Sequence, residues 1–519
     1  MRKTNLPFEQ TNQFNPIFID YISENKEVKP FYDEFPKIEN FARQIERKSF
    51  SKVKREILAQ VLQNQYQKIS SDVPTSQIEL LKDEQTFTVV TGHQLNIFSG
   101  PLYFIYKIVS TINLAKQLKH QYPEFNFIPI YWMATEDHDF EEISYFNLFG
   151  KKYTWEHPNP TGAVGKLNLN GIDHILNEIS ELPDFFKTAY TRFENLTDAT
   201  RYYVNELFGE EGLLILDADD SRLKSEFRNV IYDDLLHHHA NSAVEKTNEK
   251  LEAAGYKTQV FPRKINFFYH KDGIRERIEK EGEYFQVLNS EIKFSQEEIE
   301  KEIEEFPERY SPNVVLRPLY QEIILPNLAY IGGPGELSYW LQLKGVFDHY
   351  GVEFPMLVPR NFALYLNKSN CKKIDKLSVD CSELFLEENQ LKDNFLKRNA
   401  EGEIDLSENI SALEQVFEDI AKKAALVDKS LQGFIGAESK KAIKQVENIG
   451  KRLKKSEENN QSTAVNQLLN LKSKLFPDNS LQERTDNFMN FYLNDPQFIE
   501  KLKDAFDPLH FEFLILQDS

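Results

Sequence analysis

The sequence predicts an α/β fold: a parallel-sheet core with inserted connective segments, and an antiparallel α-helical coiled-coil arm. Three observations carry this. Thr86 to Glu142 reads as strand, glycine-bearing loop, helix, strand and acidic loop, which is a βαβ unit. Gly212 to Asp217 is a further apolar run that also ends in carboxylates, Asp217, Asp219 and Asp220. Leu406, Ile410, Leu413, Phe417, Ile420, Ala424, Val427, Leu431 and Phe434 alternate spacings of four and three, a heptad seam.

Within the βαβ unit, the β-branched run Thr86 to Thr91 is broken by Gly92, and Ser99, Gly100 and Pro101 have the cap-and-proline pattern of a helix start. Leu102, Ile105, Ile108, Val109, Ile112, Ala115 and Leu118 recur at helical spacing. Phe127 to Met133 is nearly all apolar, as suits a parallel strand covered on both faces. Both strands point the same way, so their following loops share the edge where open α/β sheets bind ligands. Leu328 to Ile331 and Phe354 to Val358 supply a fourth and a fifth strand. The fourth leads into Gly332, Gly333, Pro334, Gly335 and Glu336 before a helix, and the fifth ends at Pro359 and Arg360.

The domain order follows. Residues 1–85, which contain no glycine, pattern as helices packing on a core at 86–365. Insertions fall at about 151–211, with a strand-like piece from Gly165 to Asn170 and a helical run from Pro183 to Phe208, and at about 256–310. The second is a small antiparallel β segment around Lys271, Asp272 and Gly273, to which no chemistry is assigned. A long helix is expected from Asp220 to about Ala254. Residues 366–476 form the arm, turning near Gly433 and Gly436, with a first helix roughly 40 Å long at about 1.5 Å per residue. Residues 477–519 return to the core with a last strand at 511–516.

Composition narrows the function classes. Of 519 residues, 40% are hydrophobic and 13% aromatic, ample for a large interior. Lys and Arg total 62 against 82 Asp and Glu, a net charge of -20, without a basic block, so nucleic acid and anionic membrane are poor partners. The N-terminus lacks the apolar stretch of a signal peptide and no window reaches a membrane span, which places the protein in the cytoplasm. Cys371 and Cys381 fit neither a disulfide framework nor a thiolate metal site.

The candidate chemistry lies in the loops. Thr91, Gly92, His93 and Gln94 through Ser99 and Gly100 place glycines and polar groups before a helix, where free N–H groups favour a phosphate or carboxylate; a tight βα turn is the plainer reading. His93 is positioned to contact a phosphate. Glu136, Asp137, His138 and Asp139 offer general-base, ammonium-binding or metal-ligand chemistry, although acidic residues also suit a helix's first turn. Gly332, Gly333 and Gly335 can wrap an anion, lined by Glu336 and Trp340, and Arg360 can hold a carboxylate or phosphate. No side-chain metal site is expected, since a zinc site needs more than one histidine at this loop. His237, His238 and His239, taken as successive positions of one helix, do not converge on one metal.

TGHQLNIFSGPLYFIYKI, PIYWMATEDHDFEEI, SPNVVLRPLYQEIILPNLAYIGGPGELSYW, MLVPRN and LQERTDNF, in that order, resemble the cysteine ligase family of bacillithiol biosynthesis, BshC, nearly end to end. The resemblance implies a Rossmann-like core with connective insertions, a coiled-coil domain mediating a homodimer, and addition of cysteine to glucosaminyl-malate as a final pathway step. It also implies a likeness to nucleotidyltransferases of the class I synthetase type. His93 departs from the glutamine expected there. The expected activity is amide formation with the cysteine carboxylate activated by ATP or another nucleotide, Mg2+ arriving with it, and Asp137 or Asp139 handling an amine. Two other readings are a metal-dependent hydrolase using residues 136–139 and a non-catalytic ligand-binding coiled-coil scaffold.

Overall fold

Five strands build the central sheet: β1 (Thr86–His93), β2 (Asn126–Met133), β3 (Leu214–Asp217), β4 (Asn327–Gly332) and β5 (Met356–Pro359). In this computed structural model, which describes residues 1–70, 73–271, 273–400 and 405–518, they lie in the order β3-β2-β1-β4-β5, all parallel. The chain winds outward from β1 to β3, then crosses back to lay β4 on the other side of β1. The strand order therefore reverses between β1 and β4, and a crevice opens beyond their carboxyl ends. Register brings those ends level: His93 lies opposite Met133, Met133 opposite Asp217, and Thr91 opposite Ile331.

Alternating side chains cover both faces of the sheet, which explains the unbroken apolar runs. Helix α1 (Tyr103–Gln121) covers one face: Leu114, Ala115 and Leu118 pack with Phe87, Val89 and Ile331, and Ile105, Ile108 and Ile112 with Tyr131, Met133 and Ile215. On the other face Leu58, Val61 and Leu62 of the N-terminal segment join Leu319, Tyr320 and Ile324 of α2 (Arg317–Ile324) against Val90, Ile130 and Trp132. Helix α3 (Pro334–Gln342) follows β4 directly.

Several expected elements differ. Residues 1–85, expected as helices, open with a strand, Arg2–Leu6, that pairs antiparallel with the last strand, Phe513–Gln517. That last strand also pairs parallel with Phe362–Leu366, so the C-terminus completes a separate three-stranded sheet instead of joining the central one. The expected strand at Gly165 to Asn170 is a 3-10 turn, Val164–Lys166, pressed onto the acidic loop: the Gly165 N–H donates to the Thr135 carbonyl at 2.9 Å. A Cβ on Gly165 would stand 2.4 Å from Thr197 Oγ1, so only glycine permits this approach. The helical run from Pro183 breaks into Asp184–Arg192 and Leu196–Phe208, where Asn195 caps the second helix by accepting from the Asp198 N–H. The long helix after Asp220 is three, Ser221–Ser225, Arg228–Leu236 and His239–Ala253, the last two separated by His238, which adopts a left-handed backbone at φ 60°.

The insertion before α2 is an antiparallel sheet of Phe267–Lys271, Ile274–Glu281, Tyr284–Val287, Lys293–Phe294 and Tyr310–Pro312; Asp272 of its first turn lies outside the described residues. It stands over the crevice. The arm comprises α4 (Ser407–Ala425), α5 (Leu431–Asn460) and α6 (Ser462–Leu475). Its turn falls at 426–430, so Gly433 and Gly436 lie inside α5 and the seam on the first helix ends near Ala424. At about 1.5 Å per residue, the 19 residues of α4 span roughly 28 Å and the 30 of α5 roughly 45 Å. Leu468, Leu471 and Leu475 of α6 are buried in the main core. Among the described residues no helix is long and apolar enough to cross a membrane.

Candidate functional site

A cavity of about 710 Å³ occupies the crevice beyond β1 and β4. Of the residues expected at a site, Gly92, His93, Gln94, Glu136, Asp137, His138, Gly333, Gly335, Glu336 and Arg360 line it. Thr91, Ser99, Gly100, Asp139, Gly332 and Trp340 do not, and each has a local reason. Thr91 Oγ1 donates to the Ile331 carbonyl at 2.9 Å, tying β1 to β4. Ser99 and Gly100 belong to a buried left-handed turn, φ 69° and 59°, where a Cβ on Gly100 would stand 2.4 Å from Asn96 Cβ. Asn487 Nδ2 donates to the Phe98 and Gly100 carbonyls at 2.8 and 2.7 Å, and the Phe98 and Gly100 N–H groups donate to Tyr190 Oη and the Ile97 carbonyl at 2.7 and 3.0 Å, so these groups are spent on a core turn. The carbonyl of Gly332 accepts from the Arg360 N–H at 2.9 Å. Trp340 is fully buried and stacks on Tyr330 at 4.5 Å between centroids.

The second glycine loop carries its own anion. Glu336 in the first turn of α3 accepts from the Gly333 N–H at 2.8 Å and from the Tyr330 hydroxyl at 2.7 Å, and pairs with Lys107 of α1 at 2.6 Å. The Gly333 amide expected to hold a ligand is therefore satisfied internally. Burial works against the charge of Glu336, yet Lys107 and these hydrogen bonds outweigh it and hold the carboxyl below its ordinary value. Lys107 also donates to the Gly92 carbonyl at 2.7 Å; burial lowers its ammonium from the ordinary value while Glu336 opposes the change.

The two terminal nitrogens of Arg360 are likewise committed, while its Nε is buried without a partner. Its Nη2 pairs with Glu483 at 2.5 Å, both side chains almost wholly shielded, and Nη1 donates to the Asn361 carbonyl. Glu483 also accepts from the Ala363 N–H at 3.2 Å. Arg360 thus lines the cavity as half of a neutralised pair. Removing one partner leaves a buried charge: Glu483→Gln is expected to cost about 3 to 5 kcal/mol in urea unfolding, with Arg360→Met in the same chain restoring part of it. A loss under about 1 kcal/mol for the single variant would show that the pair is not buried in solution.

The acidic loop is mostly self-satisfied. Glu136 Oε1 meets the buried Lys224 ammonium at 2.5 Å; burial, then Asp219, raises its carboxyl while Lys224 opposes. Asp137 accepts from Gln94 Nε2 and from the His138 N–H at 2.7 Å. Asp139 caps the short helix Phe140–Ile143, accepting from the Glu142 N–H at 3.1 Å, and so faces away from the cavity. His138 is half exposed, and its Nδ1 accepts from Arg275 at 2.6 Å. Glu142, which from sequence needs no explanation beyond a helix's first turn, reaches the cavity, and burial followed by Asp137 and Asp139 raises its carboxyl.

Arg263, Arg275, Arg317 and Arg484 also line the cavity without having been anticipated. The insertion contributes the first two, and Arg484 sits in the LQERTDNF segment, whose proximity to β1 no local pattern reveals. Arg317, at the start of α2, and Arg484 share one legible signal, each lying in a segment shared with the resembled family. Arg317 Nη1 bonds Gln321 at 3.1 Å, whereas Nη2 is buried without a partner among Trp132, Tyr330 and Trp340. Gly92 leaves room beside it: a Cβ there would be 3.4 Å from Tyr330 Oη and 3.8 Å from Arg317 Nη1.

His93 has a buried Nε2 without a partner and a ring stacked on Phe104 at 5.1 Å. Burial, reinforced by Lys107 and Arg360, holds its imidazole well below the ordinary value, so it is neutral at pH 7 and offers a hydrogen bond instead of a positive charge. The unfolded chain protonates at this residue near pH 6.5, about the unperturbed value, while the folded chain does not. Stability from His93 is therefore present above that pH and lost as pH falls, by up to about 1.4 kcal/mol per unit. The unfolding free energy of His93→Gln is expected to gain on the unsubstituted chain by about 1 kcal/mol from pH 6.5 to 5.5. Parallel curves would mean that His93 titrates freely when folded.

Comparison with known proteins agrees with this architecture. The family described as "Bacillithiol biosynthesis BshC, N-terminal Rossmann-like domain" matches residues 1–361, and "Bacillithiol biosynthesis BshC, C-terminal coiled-coil domain" matches residues 363–517. The chain is similar to a protein of Christiangramia forsetii named "Putative cysteine ligase BshC", 44% identical with 98% of each chain covered. Proteins of the same name from Cytophaga hutchinsonii and Bacillus licheniformis are 43% and 29% identical, covering 97% and 96% of this chain and 96% and 97% of theirs. With both of its halves matched and these relatives aligned over nearly their full length, the chain belongs to the BshC family.

Proposed function

We propose that the protein is a ligase that joins the carboxyl of cysteine to the amine of glucosaminyl-malate, the closing step of bacillithiol formation. The observation that carries this reading is a cavity lined both by arginines and by the Asp137 and Glu142 carboxylates, in a chain whose relatives are named as cysteine ligases. The two substrates present both signs. Cysteine has an ammonium and a carboxylate, and glucosaminyl-malate has two carboxylates and an amine.

Arg317, with its unpartnered Nη2, and Arg275 suit carboxylate or phosphate oxygens. Asp137 suits an ammonium. Glu142, with its raised carboxyl, suits acceptance of the proton that leaves the attacking amine as the carbon–nitrogen bond forms. The aromatic walls exclude water that would compete with the amine.

A nucleotide fits the residues present: Arg317 Nη2 and His93 Nε2 are unpartnered polar atoms beside the open backbone of Gly92, and would hold phosphate oxygens. When bound, it supplies the leaving group that a bare carboxylate lacks, with Mg2+ carried on its phosphates. The hydrolase reading has less support, because Glu136 is paired with an ammonium and Asp139 caps a helix.

Purified protein given cysteine, ATP and glucosaminyl-malate is expected to form the amide-linked thiol and release phosphate or pyrophosphate, with Arg317→Met lowering kcat/KM on the order of 100-fold. No product and no release would sink the proposal. The arm is proposed to pair two copies of the chain: neither α4 nor α5 buries a residue, and Val416, Ile420, Leu431 and Phe434 stay exposed. Sedimentation equilibrium is expected to show a dimer of 60.8 kDa chains, dissociated by Val416→Glu with Phe434→Glu. A monomer before substitution, or a dimer after it, would refute this pairing.

A further inference from the structure

Away from the cavity, three metal-ligating side chains from three helices converge. Asp233 lies on Arg228–Leu236, His239 begins His239–Ala253, and His349 lies in the last turn of Lys344–Tyr350. Their ligand atoms all lie within 4.8 Å of one another. His239 Nδ1 is 2.6 Å from Asp233 Oδ1, His349 Nε2 is 3.7 Å from Asp233 Oδ2, and the two imidazole centroids are 4.7 Å apart. None of the three lines the cavity.

We propose that Asp233, His239 and His349 bind one divalent transition-metal ion of the zinc class, with two imidazoles and one carboxylate as ligands and the remaining position open to water. Bonds of about 2.0 to 2.2 Å in a tetrahedron set ligand atoms roughly 3.4 Å apart, and the observed separations straddle that value. Small side-chain rotations bring the three onto a common centre. Two imidazole nitrogens and a carboxylate oxygen select zinc, cobalt or nickel over magnesium and calcium, which prefer all-oxygen sets.

The surroundings orient the ligands. Tyr350 Oη donates to Asp233 Oδ2 at 2.6 Å, which holds that carboxylate in place. The left-handed His238, φ 60°, reverses the chain so that His239 faces back to Asp233; the backbone N–H groups of His237 and His238 both donate to the Asp233 carbonyl, at 2.8 and 3.0 Å. The helices bearing His239 and His349 cross closely because of Gly345, where a Cβ would stand 2.5 Å from Thr247 Oγ1 and 3.0 Å from the Ala243 carbonyl. Both histidines are partly exposed, 50% and 37%, so an ion reaches the site from solvent. The ion would clamp the segment after β3 to the crossover between β4 and β5. The three consecutive histidines thus contribute one ligand, and its partners come from elsewhere in the chain.

The test is calorimetric titration of the full chain, freed of metal by chelation, with zinc chloride alone at pH 7.5, together with the visible absorption of bound cobalt. One equivalent of zinc is expected to bind and to raise the unfolding temperature. His239→Ala with His349→Ala is expected to weaken that binding by more than about 100-fold and abolish the thermal shift, and Tyr350→Phe to weaken it about tenfold. His510→Ala, beside Glu512, controls for other surface histidines and leaves the binding unchanged. Because the substituted histidines are partly exposed, the metal-free variants should unfold at the temperature of the metal-free parent. Absence of a stoichiometric zinc site in the unsubstituted chain, or unchanged affinity in the double variant, overturns the proposal and leaves a histidine–carboxylate hydrogen bond only.

Discussion

The ammonium of Lys107 holds the carboxyl ends of β1 and β4 together. From α1 it reaches the Gly92 carbonyl at the end of one strand and Glu336 beyond the end of the other, and Glu336 in turn takes the Gly333 N–H and the Tyr330 hydroxyl. These strands are hydrogen-bonded neighbours only because the sheet order reverses there. A reversal point is also where side chains from both halves of the sheet meet, so the same contact that closes the fold shapes the floor of the cavity. Buried pairs of this kind are stabilising only when every lone pair and proton finds a partner, a condition that Glu336 meets with three donors.

That floor has a consequence for the division of charge. Glu336 and Glu483 neutralise Lys107 and Arg360, so the positive potential available to a ligand comes from the other arginines that line the cavity. Arg317 is the innermost of these, enclosed by three aromatic rings, and Arg275 reaches in from the inserted sheet to His138. The insertion contributes guanidinium groups to a cavity whose base is the parallel sheet. The C-terminal segment contributes as well: Glu483 balances Arg360, and Asn487 pins the turn at Phe98 to Gly100.

Local pattern was a sound guide where the physics is local. The strands at Thr86, Phe127 and Leu214 were legible because burial on both faces forces continuous apolar runs, and the loops after them fell on the expected edge because parallel strands leave no alternative. The arm's helices were legible from heptad spacing, but its turn was misplaced to Gly433 because a glycine inside a helix looks like a break. Thr91, Ser99, Gly100 and Trp340 drew attention as polar, glycine or aromatic residues beside a loop, yet each is spent on packing or on backbone hydrogen bonds. Sequence shows which groups are present near a strand end, not which are already partnered.

The positions of the strands along the chain, the alternation of βα units and the family were determined by the sequence, since periodicity and motif order are properties of neighbouring residues. The tertiary structure alone decided which anion Gly333 holds, that Arg360 is neutralised by Glu483, that Arg317 is left with a free donor, and that His239 meets Asp233 and His349. In the Arg360 pair the partners are 123 residues apart in the chain. A side chain's charge and hydrogen-bond balance is set by whatever packs against it, and such distant partners leave no periodic trace in the sequence.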